Sequence, residues 1–122
     1  MNEVKLTTEQ IQFMRDNGPV IFTTSSDDQP RACIVQTNGI YDNSIIIDDV
    51  QMGKTAQNVK TNKKVSVLSS APDYSRWLKI SGIAEYLTDG ELVKERKEKA
   101  NPKYLPKAVI QIKITEVEDV TD

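Results

Sequence analysis

Histidine is absent from the 122-residue chain. Its absence removes Ser-His-Asp and Cys-His nucleophile pairs, imidazole metal sites and His-ligated haem. Cysteine occurs once, as Cys33, so no intrachain disulfide and no multi-cysteine zinc or iron–sulfur site can form. Its setting in the run Ala32-Cys33-Ile34-Val35 predicts a buried strand position rather than a reactive thiol. No apolar stretch approaches the roughly 18 residues that a membrane span requires, and Met1 is followed by polar residues. A soluble, cytoplasmic protein with no membrane partner is the expectation. Charge of one sign is also missing: 16 Lys+Arg against 18 Asp+Glu leave a net charge of -2. That balance supplies no global field for nucleic acid, so any attraction to an anion must be local.

What remains is the ordinary composition of a folded domain, with 38% hydrophobic and 28% charged residues. The length suits one domain spanning 1–122. Thr7-Thr8-Glu9-Gln10 reads as a capping box that opens a helix over about 8–16. Pro19–Ser25 is rich in β-branched residues, and the turn cluster 26–30 returns the chain along a strand over about Arg31–Thr37. Asn38-Gly39 is read as a turn, and Ile45-Ile46-Ile47 as a third strand, giving a three-stranded meander. A helix is expected between Gln51 and Asn62, then strands at Val65–Leu68 and Leu78–Tyr86, with a bulge or bend at Gly82. A second capping box at Thr88–Glu91 predicts a charged helix to about Ala100. The last strand places Ile110, Ile112 and Ile114 inward.

Six mostly antiparallel strands and three short helices give a mainly β fold. Closure into a small barrel is favoured because it buries one face and removes edges; an open α+β sheet is the alternative.

The stretch Met52-Gly53-Lys54-Thr55 through Lys64 carries four lysines and no acid in a protein that is acidic overall. Gly53 allows close backbone approach, and the first turn of the helix offers amides and the positive end of its dipole. Lys54 would add a formal charge and Thr55 a hydroxyl. The same residues also suit a merely solvated helix. A nucleotide-binding P-loop is excluded, because the glycine it needs five residues before Gly53 is Asp48.

The order of these segments, with Gln29-Pro30-Arg31-Ala32, "DDVQMGKTAQNV", Thr61-Asn62-Lys63-Lys64-Val65 and Ser81-Gly82-Ile83-Ala84, resembles the pyridoxamine 5'-phosphate oxidase-like FMN-binding split barrels. The likeness runs over roughly 10–120 and is nearest to the small single-domain FMN-binding proteins. It implies a six-stranded antiparallel split β-barrel and a homodimer with FMN between the subunits. The FMN phosphate would lie at Lys54-Thr55. The isoalloxazine would lie along Val35-Gln36 and the backbone of Ile47-Asp48-Asp49, with Met52 nearby and Trp77 a candidate ring contact.

Relatives carry Thr or Ser near the end of the second strand, where Val35 offers only backbone; Thr37 is the expected substitute. The resemblance also puts Asp48 and Asp49 beside the flavin, where their charge would lower its potential, with Arg31 as the nearest opposing charge or a solvated hairpin residue. Lacking the family's Arg/His substrate clamp, the chain is not expected to be a true pyridoxamine phosphate oxidase. An FMN-dependent oxidoreductase or an electron-transfer flavoprotein is expected, with an unknown small-molecule redox partner. Neither needs a catalytic side chain or a metal of its own. A barrel using a deazaflavin, or a cofactor-free scaffold, is the alternative.

Overall fold

A computed structural model describes residues 4–121. In chain order it contains α1 (Thr8–Asp16), β1 (Val20–Ser26), β2 (Gln29–Val35), β3 (Gly39–Ile40), β4 (Ser44–Asp49), α2 (Lys54–Thr61), β5 (Lys64–Ser70), β6 (Arg76–Leu87), α3 (Glu91–Lys99), a 3₁₀ turn (Pro102–Tyr104) and β7 (Ala108–Thr121). The Thr7 box forms as expected: Thr7 Oγ1 accepts from the Gln10 amide and Gln10 Oε1 from the Thr7 amide. Asp27 and Asp28 turn β1 into β2 with both central φ angles positive, at 52° and 62°. Aspartate tolerates that region better than most residues, which suits it to the tight turns that match strand twist.

The strands form one antiparallel sheet in the order β2-β1-β5-β6-β7-β4-β3. Side chains from its concave face, among them Phe22, Ile45, Val67, Leu78, Ile80, Ile110 and Ile112, meet in one core. The sheet therefore wraps round that core, while its two end strands, β2 and β3, do not pair: a split barrel. The strand count is seven rather than six. Asn38-Gly39 is not a simple turn, because Gly39 and Ile40 pair with Ile46 and Ile45 as a two-residue strand.

The expected meander is also corrected. β1 and β2 form a hairpin, but β4 lies near the far end of the sheet, paired with β7 and β3. Ile45, Ile46 and Ile47 are all buried in succession, so β4 needs cover on both faces, and strand alternation divides them. Ile45 and Ile47 enter the barrel core, and Ile46 packs on the other side with Val93 of α3 and Val109.

Gly82 does mark a register shift between β6 and β7. A Cβ there would lie 2.5 Å from Ile112 Cγ2 and 2.7 Å from the Lys113 carbonyl oxygen, so only glycine fits. The Thr88 box does not form: α3 starts at Glu91 with Gly90 at its N-cap, at φ 102° and without a side-chain cap. That backbone angle cannot continue a helix back to Thr88. Among the described residues no helix is long and apolar enough to cross a membrane.

Candidate functional site

α2 leaves β4 through the turn 50–53 and is pinned along β1. Asn58 Nδ2 donates to Thr24 Oγ1 at 3.1 Å in the protein interior, and Asn62 Nδ2 donates to Ser25 Oγ at 3.0 Å. These bonds set the first turn of α2 against β2. Thr55 is buried there, its hydroxyl accepting from Arg31 Nε at 3.0 Å and lying 3.7 Å from Cys33 Sγ. The helix opens at Gly53, φ 53°, with no side-chain cap and no acid in its first turn. Arg31 and Lys54 line a cavity of about 440 Å³ together with Ser26, Gln57, Asn58 and Thr61. Two cations meet there with the hydroxyls of Ser26 and Thr61 and the side-chain amide of Gln57, while one carboxylate, Asp27, shares the wall and Thr55 is reached only through its bond to Arg31; the set carries a net positive charge suited to an anion.

Of the two readings of Arg31, the exposed hairpin position holds and the opposing charge does not. Arg31 opposes neither Asp48 nor Asp49 but sits beside Thr55. Strand alternation was the available signal, since Arg31, Cys33 and Val35 share one face of β2. Cys33 is half-buried rather than buried: it packs against the barrel core from a strand at the end of the sheet.

A second cavity, of about 480 Å³, lies at the other end of β2. Val35, Gln36, Asp48 and Met52 line it, with Asn38, Arg96 and Tyr104 among its other walls. Four of the residues predicted along the ring thus come together. Ile47 and Asp49 reach neither cavity with their side chains: Ile47 belongs to the core, and Asp49 is fully buried. Thr37 follows the end of β2 and lines neither cavity, and Trp77, paired with Ser70 and Val120, lines neither.

Asp48 is not an open negative charge. Arg96 of α3 grips its carboxylate with two bonds of 2.9 Å, and both side chains are largely buried. That grip holds the guanidinium above its usual pKa. The Asp48 amide is also taken, donating to Asn38 Oδ1 at 2.7 Å. Asp49 Oδ1 accepts from the Met52 amide at 2.9 Å, and its other oxygen accepts from the Tyr86 hydroxyl. Burial, followed by that bond, raises Tyr86 to about 12. The expected repulsion between a bare Asp48-Asp49 pair and a reduced flavin is therefore removed for Asp48 by Arg96, a partner 48 residues away that local pattern could not show.

The chain shares its fold with solved proteins of low sequence identity. HupZ of Group A Streptococcus is 20% identical with a TM-score of 0.87, over 96% of this chain and 95% of that one. An FMN-binding protein from Syntrophomonas wolfei is 19% identical with a TM-score of 0.73, over 92% and 84%. An F420 reductase is 14% identical with a TM-score of 0.71, over 93% and 98%. No curated protein matches the sequence significantly. The sequence model of the pyridoxamine 5'-phosphate oxidase family matches residues 6–121, nearly the whole length, and the chain belongs to that family.

Proposed function

We propose that this protein is an FMN-binding flavoprotein that works as a homodimer. The observation that carries the reading is the layout of β2. Its inward face runs from the anion-suited cluster of Arg31, Lys54 and Thr55 to the groove of Val35, Gln36, Asp48 and Met52. Four residues of extended strand separate the two ends, about 13 Å, the scale of a mononucleotide with a ring system at one end. Lys54, Thr55 and Arg31 would hold the phosphate. Val35, Gln36, Met52 and the backbone of Ile47–Asp49 would flank the isoalloxazine.

When bound, the flavin supplies the redox chemistry. This chain's residues bind and orient it: Arg31 and Lys54 neutralise the phosphate, Thr55 fixes the guanidinium, and at the ring end Arg96 cancels the charge of Asp48, leaving Lys99 as the further charged wall. No side chain is assigned a proton to move. The protein acts either as an oxidoreductase on a small molecule or as an electron carrier, and its lone free thiol suits the reducing cytoplasm. A second copy would cover β2, an end strand of the sheet on which Ile34 is 73% exposed. The fold shared with an F420 reductase favours a deazaflavin as the second reading, since its phosphate could use the same cluster.

The test is an absorption spectrum after mixing with FMN and removing the excess. Bands near about 370 and 450 nm should stay with the protein. Lys54→Ala combined with Thr55→Ala should weaken FMN binding about 100-fold, two contacts of about 1.5 kcal/mol each being lost. Failure to retain FMN would overturn the flavin reading, retention of an added deazaflavin alone would establish the second, and undiminished affinity in the double variant would refute the phosphate assignment.

A further inference from the structure

We infer that the Asp49 side chain is a positioning group for the anion cluster, its carboxylate acting through the turn 50–53 without itself touching the ligand. The inference rests on the flavin reading above for the identity of the ligand, but not for the geometry. Asp49 is fully buried, and both of its oxygens are committed. Oδ1 accepts from the Met52 amide three residues ahead at 2.9 Å, and Oδ2 accepts from the Tyr86 hydroxyl. Its carbonyl accepts from the Lys107 amide at 2.9 Å, so the main chain at this point is anchored to the start of β7 as well.

The turn held by Oδ1 sets the direction in which α2 departs. Immediately after Met52 the chain passes through Gly53 at φ 53° and begins the helix with Lys54 and Thr55. Tyr86 holds the same helix a second time. Its ring lies under Lys60, whose Nζ is 4.4 Å from the centroid, a cation–π contact. One tyrosine on β6 thus grips the turn before α2 through its hydroxyl and the last part of α2 through its ring. The carboxylate is the joint between them, because only a side chain with two acceptors can take the Met52 amide and the Tyr86 hydroxyl together.

Removing the carboxylate leaves two half-buried donors without their charged acceptor. Loss of a hydrogen bond to a charged group shifts an equilibrium about tenfold or more, here the one between a fixed and a wandering start of α2.

The experiment compares Asp49→Ala, Asp49→Asn and Tyr86→Phe with the wild type and with Val93→Ala, a core change on α3 remote from α2. Two quantities are read on the full chain: amide hydrogen exchange of residues 50–56 without ligand, and FMN affinity by fluorescence quenching. Asp49→Ala should raise exchange at 50–56 and weaken FMN about tenfold, whereas Val93→Ala should destabilise the fold and leave both local readouts near wild type. Asp49→Asn keeps an acceptor for the Met52 amide and should recover most of the loss; Tyr86→Phe should show a smaller effect of the same sign.

Unchanged exchange at 50–56 in Asp49→Ala overturns the inference, as does an equal effect of Val93→Ala. If Asp49→Ala does not fold, Tyr86→Phe decides by the same readout: raised exchange at 50–56 supports the inference and unchanged exchange overturns it. If the wild type binds no FMN, the flavin reading fails by itself and the exchange pattern alone decides the role of Asp49.

Discussion

Strands β2 and β4 both border the candidate site, yet they are built on opposite terms. β4 is interior on both faces: Ile45 and Ile47 in the barrel, Ile46 under α3, Asp48 gripped by Arg96 and Asp49 by Tyr86. β2 lies at an end of the sheet, mostly exposed, with Ile34 outward and only Cys33 and Val35 half-covered. The contrast assigns roles. A strand committed on every side gives a fixed floor, and a strand with an open edge offers backbone and side chains to a ligand or a second subunit.

Truncating β4 should do the greatest damage. Ile47→Ala removes a side chain that is 1% exposed and should cost about 2–5 kcal/mol of unfolding free energy, measured by urea denaturation. A loss below about 1 kcal/mol would show that β4 is not the fixed floor described. Arg96→Ala comes next. It leaves the largely buried Asp48 carboxylate without its partner and should cost about 1–3 kcal/mol; Asp48→Asn in the same background should return part of that loss, which a simple packing defect under α3 would not allow. The smallest effect on folding belongs to β2. Ile34→Ser should change stability by no more than about 0.5 kcal/mol, yet shift the mass seen by light scattering away from the twice 13.7 kDa of the proposed homodimer toward a single chain. A stability loss as large as that of Ile47→Ala would erase the distinction between the two strands.

Much of the local architecture was legible. The Thr7–Gln10 box, the bounds of α1, the alternation of Ile110, Ile112 and Ile114, and the irregularity at Gly82 all follow from patterns within a few residues. The anion-suited start of α2 was readable for the same reason, since its lysines, Gly53 and Thr55 are contiguous. The Thr88 box failed although its letters were right, because Gly90 adopts a backbone angle outside the helix region. The partner of β4 was not legible: three consecutive isoleucines say that a strand is covered on both faces, but not by what. Arg31 was within reach of strand alternation, whereas its bond to Thr55 depends on where α2 docks.

The sequence by itself determined that this is a mainly β chain without imidazole, disulfide or P-loop chemistry, and that its only concentrated positive charge begins at Lys54. Those properties are set by composition and by spacing along the chain. Tertiary structure alone decided that β2 and β4 lie far apart in the sheet and still border one site, that Arg96 neutralises Asp48, and that Asp49 turns inward to Tyr86. Each of these joins residues a dozen or more positions apart, and such pairings are selected by the shared burial of a closed core, which no local pattern encodes.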